Sequence, residues 1–276
     1  MSFTCSLASI WYDRIMLRPH GRLTFAELVE HCAAMTADEA HPSSKRPADI
    51  RGRVTHDLGV AIVTGRLAPG AALMSEERFS AENGISRGAY REALKILAAK
   101  GLVHQRVKSA TRVNERIRWS MLDLDVLGWM FEGGASRDFI NGIFELRRIV
   151  EPSAAALAAR RRDDRQLARM GHALEEMERN GLHASAGRQA DQAFHLAILE
   201  ATRNEPLMTL SNSIAAAVEW TTRFARDQRG QKRDPMPDHH AVYSAIVAGD
   251  HQGARAAMET LIDNALHDAD MVLASG

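Results

Sequence analysis

The stretch Ser86-Arg87-Gly88-Ala89-Tyr90-Arg91-Glu92-Ala93-Leu94-Lys95-Ile96-Leu97, running on into Lys100-Gly101-Leu102, decides how the rest of the chain is read. Ser86 is a helix-capping residue type, and Arg87 and Arg91 stand one helical turn apart, so both project from one face. Ala89, Tyr90, Ala93, Leu94 and Leu97 recur at spacings of three and four, which gives the opposite face to a core. An exposed helix with arginines near its start suits the DNA major groove, where arginine bridges the O6 and N7 edges of guanine or grips phosphate. Taken by itself, the pattern fits an ordinary amphipathic helix with solvated arginines equally well.

The flanking residues settle that choice. Upstream, Val54, Leu58, Ala61 and Ile62 predict a first helix from about Arg53 that ends near Gly65. Pro69-Gly70 makes a turn, Ser75 caps a second helix with Glu76 and Glu77 in its first turn, and Asn83-Gly84 turns into the third. Downstream, Leu102–Arg106 and Thr111–Val113 read as two short β runs joined by Val107-Lys108-Ser109-Ala110. Helix, helix, turn, helix and a basic hairpin predict a winged helix-turn-helix over 51–115. Its candidate DNA-contacting residues are Ser75, Ser86, Arg87, Gly88, Arg91, Arg106 and Lys108.

Charge supports the division. The 276-residue chain is formally neutral, but Arg51–Asn114 holds eleven Lys or Arg against five acids, a net +6, which leaves −6 for the rest. A basic module joined to an acidic one fits a DNA reader with a separate sensing domain. The length allows two domains of ordinary size. Both cysteines, Cys5 and Cys32, lie in the first fifty residues, so no disulfide framework is implied and a cytoplasmic location is expected. No apolar run approaches a membrane span, and no secretory signal is visible. Residues 1–50 read as a disordered extension: Thr24–Met35 could form a short helix, Thr36–Arg53 reads as a polar linker with Pro42 and Pro47, and Met35 is an alternative start.

From Trp119 onward the chain is helical, with segments predicted at 121–133, 136–162, 163–181, 184–203, 205–226, 236–249 and 251–273. Asp227–Pro237 reads as a charged, movable loop. The fold class expected is mainly α: an N-terminal winged helix-turn-helix, then an all-helical bundle of six to seven helices over 119–274.

The first module resembles the GntR family of bacterial transcription regulators. Gly65, Pro69-Gly70, Leu73, Ser75-Glu76, Gly84-Ile85-Ser86-Arg87, Arg91-Glu92-Ala93-Leu94, Leu97 and Gly101-Leu102 carry the match. The second resembles the helical ligand-binding (FCD) domain of the FadR subgroup, on Glu145-Leu146-Arg147, Glu151-Pro152, Ala190-Asp191, Phe194-His195, Asn204, His239, Ala245-Ile246 and Asp250. Trp119–Trp129 and Arg148–Pro152 look like regulators of sugar-acid operons within that subgroup. Two positions depart from the pattern: Glu77 stands where members often have arginine, and the wing tip lacks the usual glycine. The resemblance implies a homodimer on a palindromic operator in double-stranded DNA.

Asp191 and His195 lie four residues apart on one helix, so a carboxylate and an imidazole face the same way. Such a pair is either a buried acid–histidine hydrogen bond or part of a site for a divalent metal ion such as Zn²⁺, Ni²⁺ or Mn²⁺. The resemblance favours metal and makes His239 the third ligand by motif position, with adjacent His240 as the competing choice. Many members carry a further histidine where Leu261 stands. Arg147 is a candidate effector-binding residue, since a guanidinium holds a carboxylate in a bidentate fork, or else an ion-pair partner of Glu151. Asn204, Thr221 and Arg223 complete the effector candidates. The expectation is a repressor of sugar-acid catabolism, released from DNA by a small carboxylate, an aldonate, bound at a metal-containing pocket. A metal-free regulator sensing an acyl-CoA or other carboxylate is the alternative, and a metal-dependent hydrolase or lyase the third reading.

Overall fold

The computed structural model describes residues 47–105, 110–226 and 233–275, with side chains from Arg51. The expectations for residues 1–46, for Arg106 and Lys108, and for most of the 227–237 loop lie outside these. The chain divides into two units, 1–120 and 121–276.

In the first unit, α1 (Pro47–Val63) begins inside the stretch expected to be a linker. Proline suits the first turn of a helix, where its missing N–H has no intrahelical partner to lose. Val54, Leu58, Ala61 and Ile62 are buried. α2 (Glu76–Asn83) is capped by Ser75, whose hydroxyl accepts from Arg78 N–H at 3.3 Å, and it stops at Gly84, φ 65°. α3 (Arg87–Ala99) is capped by Ser86, which accepts from Ala89 N–H at 3.2 Å. Its buried face is Tyr90, Ala93, Leu94 and Leu97. The Tyr90 ring stacks on Phe79 of α2 at 3.9 Å, and its hydroxyl donates to the Met74 carbonyl at 3.1 Å. Burying one leucine stabilises by roughly 1.5–3 kcal/mol, more than the cap contributes, so packing fixes α3 and the cap fixes where it starts.

β1 (Val103–His104) and β2 (Arg112–Val113) pair antiparallel with Val103 opposite Val113, a shorter ladder than the two predicted runs. Gly101 (φ 74°) leads into this wing; a Cβ there would sit 2.1 Å from the Arg118 carbonyl oxygen, so only glycine fits. Trp119 donates its indole N–H to the Asn114 carbonyl at 2.9 Å and belongs to the winged unit.

The second unit contains α4 (Leu124–Glu132), α5 (Arg137–Arg161), α6 (Asp164–Asn180), α7 (Ser185–Ala201), α8 (Glu205–Met208), α9 (Ser211–Arg226), α10 (Met236–Ala248) and α11 (His251–Ser275). The segment predicted as one helix over 205–226 is two, α8 and α9. Between them the Thr209 hydroxyl donates to the Pro206 carbonyl at 2.6 Å and Leu210 N–H reaches back only to Leu207, so the regular ladder lapses for a turn. Phe144, Met170, Phe194, Ile198, Met258 and Ile262 centre the core. No helix among the described residues is long and apolar enough to cross a membrane. The same interior buries Arg147, Glu151, Asp191, His195, Thr221 and His239, charged and polar groups that must satisfy one another.

Candidate functional site

Those buried polar groups form one connected site. α7 places Asp191 and His195 one turn apart, and α10 brings His239 across to them; their ligand atoms all lie within 4.8 Å of one another. His239 Nε2 is 3.0 Å from Asp191 Oδ1, and His195 Nε2 is 3.6 Å from the same oxygen. All three residues are about 2–3 % exposed. The Pro235 carbonyl, 2.8 Å from His239 Nδ1, can only accept, so Nδ1 carries a proton and Nε2 points its other position at Asp191. Likewise the Glu151 carboxylate contacts His195 Nδ1 and leaves His195 Nε2 toward Asp191. Two ring nitrogens aimed at one carboxylate need a proton or a cation between them. Ligand bonds of about 2.0–2.2 Å put neighbouring ligand atoms roughly 3–3.5 Å apart, close to the two separations of the imidazoles from Asp191, so a carboxylate and two imidazoles so placed suit a divalent ion.

Behind the triad lies a second layer. Arg147 Nε donates to Glu151 Oε1 at 2.6 Å and Arg147 Nη1 to Thr221 Oγ1 at 2.8 Å, while Thr222 Oγ1 donates to Asp191 Oδ2 at 2.9 Å. Burial pushes the Glu151 carboxyl up, but Arg147 and His195 overcome it and hold the group down to about 2. Burial also opposes ionisation of Asp191, yet the hydrogen bonds from His195 and His239 keep it well below the usual carboxylate range. Burial lowers His195, and the charges of Glu151 and Asp191 reverse that and raise it to about 9. Where a metal ion binds, it takes the place of protons that this negative pair otherwise holds.

A small cavity of about 30 Å³ adjoins the triad, lined in part by Thr221, Thr222, Leu261, Arg233 and Asp268. That volume holds a water or two. Of the four effector candidates, Thr221 lines it. Arg147 faces Glu151 and Thr221 instead, Asn204 caps α8 by accepting from Leu207 N–H, and Arg223 is exposed, its guanidinium over the Trp220 ring at 4.9 Å. His240 lies on the surface against Glu178 at 2.7 Å, away from the triad that holds His239. The contact of Glu151 with His195 joins α5 to α7 and was not visible in any spacing; the sequence showed Glu151 as part of the family motif and as a partner of Arg147 one turn away. Leu261 is buried in the cavity wall where a further imidazole would otherwise stand.

On the first unit, Arg87 and Arg91 are exposed on one face of α3, but α2 supplies each with an acid. Arg91 Nε donates to Glu76 at 2.9 Å, and Arg87 Nη1 lies 3.6 Å from Glu77 Oε1. The hydrogen bond from Arg91 holds the Glu76 carboxyl below its ordinary value. Such exposed pairs contribute little net stability, so they orient the arginines without committing them. The Ser75 and Ser86 hydroxyls cap their helices, and Gly88 is open: nothing lies within 4 Å of where its Cβ would be. A close approach of a phosphate to this helix start is therefore sterically free.

Two family profiles match the chain, "Bacterial regulatory proteins, gntR family" over residues 50–113 and "FCD domain" over residues 142–264. The galactonate operon transcriptional repressor of Escherichia coli (strain K12) is 32% identical over 213 residues, 76% of this chain and 92% of that protein. The HTH-type transcriptional regulator LutR of Bacillus subtilis (strain 168) is 30% identical over 210 residues, 74% of this chain and 93% of that one. Among solved structures, the Listeria monocytogenes protein Lar, described as controlling expression of the agr system, superposes with a TM-score of 0.57 at 19% identity over 84% of this chain and 99% of its own, a likeness of fold.

Proposed function

We propose that this chain, which belongs to the gntR family of bacterial regulatory proteins and is a transcription regulator with an FCD domain, represses genes of sugar-acid catabolism and releases its operator when a small hydroxy-carboxylate binds the FCD domain. Regulators and not enzymes are what the chain is related to, and the reading of the triad as a hydrolase or lyase centre falls away. The observation that carries the proposal is the buried Asp191–His195–His239 group, whose two imidazoles converge on one carboxylate beside a cavity.

Asp191, His195 and His239 would hold a divalent ion, Zn²⁺ or else Ni²⁺ or Mn²⁺, which supplies a Lewis-acidic anchor for oxygen ligands. Three protein ligands leave coordination positions for a hydroxy acid. Glu151 and the Pro235 carbonyl fix the ring nitrogens, and Arg147 holds Glu151. On the DNA side, Arg87 and Arg91 read the major groove, Gly88 admits the backbone, and Ser75 and Ser86 contact phosphates, as would Arg106 and Lys108 of the sequence expectation, which lie outside the described residues. The protein acts as a homodimer on a palindromic operator. An effector shifts the equilibrium between DNA-binding and released states by its different affinity for the two. The relative named for the galactonate operon supports an aldonate as effector.

A gel-shift on the chain's own promoter region tests this, with elemental analysis of the purified protein. Retarded DNA that D-galactonate or a related aldonate releases, from a protein carrying about one divalent ion per chain, is the expected result. Binding indifferent to every sugar acid would remove the effector, and a metal-free protein insensitive to chelator would remove the ion.

A further inference from the structure

The sequence points to Arg147 as the group that receives a ligand's carboxylate, but its guanidinium is spent on Glu151 and Thr221, behind His195 and outside the cavity wall. Another arginine does line the cavity. Arg233 stands in the wall with Asp268, next to Asp191, His195 and His239. Its side chain is 33% exposed, so it faces inward with one edge open to solvent. It contacts Asp238 on α10, and its Nη2 lies 3.7 Å from Asp268 Oδ2 on α11. Asp238 is itself held by Asn264 Nδ2 at 3.0 Å.

We infer that Arg233 is the carboxylate-binding residue of this cavity, and that an incoming carboxylate takes the place of Asp268 on its guanidinium. The inference deepens the proposed function and rests on the reading of this cavity as an effector site. The Asp268 contact is longer than a hydrogen bond, so it is the one that yields, while Asp238 stays anchored by Asn264. A guanidinium fork pairs with a carboxylate through two parallel hydrogen bonds, a geometry a single distant aspartate oxygen does not satisfy. The other wall residues define the rest of the ligand. The Thr222 hydroxyl donates to Asp191 and keeps acceptor capacity that suits a ligand hydroxyl, the Thr221 hydroxyl is taken up by Arg147 and the Ala217 carbonyl, and Leu182, Leu261 and Ala265 bound the cavity with apolar surface. The class is therefore a short hydroxy acid carrying a carboxylate at one end.

The cavity of about 30 Å³ is too small for such a molecule, so its wall has to yield on entry, and the Arg233–Asp268 contact is looser than the Arg233–Asp238 pair. Two residues beyond Arg233, the Pro235 carbonyl accepts from His239 Nδ1. A carboxylate that draws Arg233 inward therefore pulls on the same short segment that orients His239.

Calorimetric titration of the zinc-loaded, full-length protein tests this, with D-galactonate, L-lactate and the carboxylate-free polyol galactitol as probes. Wild type should bind at least one acid and not galactitol. Arg233→Gln should weaken that acid by roughly 10- to 100-fold with zinc affinity unchanged, and Arg233→Lys should recover part of the loss. Asp268→Asn removes the competitor and should tighten binding by roughly 3- to 10-fold, a gain that a misfolded variant does not mimic. Wild type that binds no acid overturns the effector reading together with this inference. Wild type that binds while Arg233→Gln binds equally well, or Asp268→Asn that binds no tighter, overturns the inference alone.

Discussion

Replacing Glu151 by glutamine should separate what holds the second unit together from what would hold a metal ion in it. Glu151 is buried, accepts from Arg147 Nε at 2.6 Å, and contacts His195 Nδ1. The substitution keeps the shape and the hydrogen-bonding capacity but removes the charge, so the Arg147 guanidinium, about 2% exposed, is left without its counter-ion. Breaking a buried pair in this way costs about 3–5 kcal/mol. For a unit of this size that lowers the melting temperature by roughly 6–20 °C. The double variant Arg147→Met/Glu151→Gln removes the stranded charge and should recover most of that stability. Its metal affinity should not recover, because an amide oxygen orients and polarises His195 less well than a carboxylate, and such outer partners are worth about 10- to 100-fold in affinity. Calorimetric melting of metal-stripped protein gives the first quantity, and zinc titration against a competing chelator gives the second. A Glu151→Gln protein that melts within about 2 °C of wild type would refute the buried-pair argument. Restored zinc affinity in the double variant would refute the orienting role of Glu151.

Three further outcomes follow from the geometry. Glu77→Ala frees Arg87 from the acid 3.6 Å away, so binding to duplex DNA of arbitrary sequence, read by fluorescence anisotropy, should tighten about 3- to 10-fold and its salt dependence steepen by roughly one phosphate contact; an unchanged slope counts against the pairing. In metal-stripped protein, His195 is raised to about 9, so its contribution is complete below the ordinary histidine pKa of 6.5 and is lost as pH climbs toward 9, whereas Glu151, held down to about 2, contributes above the ordinary 4.5 and is lost as pH falls toward 2. The melting temperature should therefore peak between about pH 5 and 6.5, and a flat profile up to pH 9 would contradict the network. Leu261→His places a fourth imidazole in the cavity wall, which should bind zinc about 10- to 100-fold tighter and weaken any ligand that needs the open coordination position; equal zinc affinity would show that the wall does not reach the ion.

The recognition helix was legible because its information is local. Ser86 as cap, Gly84 as stop and the spacing of Tyr90, Ala93, Leu94 and Leu97 each act within a turn or two, and the structure reproduces them. Pro47 misled because proline breaks a helix in its interior and suits it at its start; without a fixed start the two roles look alike in sequence. At the break between α8 and α9 the Thr209 hydroxyl takes up the Pro206 carbonyl, a local contact that an apolar periodicity does not register. Asp191 and His195 were visible as a turn-spaced pair, whereas the approach of His239, Glu151 and Arg233 depends on how α5, α7 and α10 pack. Arg147 pairs with Glu151 one turn along its own helix, the alternative that the spacing already offered; that the pair lies buried against His195 is the tertiary fact. Likewise Glu77 stood out as a departure, while its contact with Arg87 needed two helices in place.

The tightness of the cavity bears on the concentration at which such a sensor responds. A pocket with room for a water or two meets a larger ligand only in its open form, so the observed affinity is the intrinsic one scaled down by the open fraction. A chain open one time in a hundred responds at roughly a hundredfold higher ligand concentration than its contacts alone would set. The response threshold and the choice of ligand would thus depend on residues that only partly overlap. On the proposed reading, Arg233, the triad and the threonine-lined wall would select the molecule, and the hold of Asp268 on Arg233 would set how much of it is required. Substitution of Asp268 would then move the set point of the switch by roughly 3- to 10-fold while its chemical selectivity stays the same.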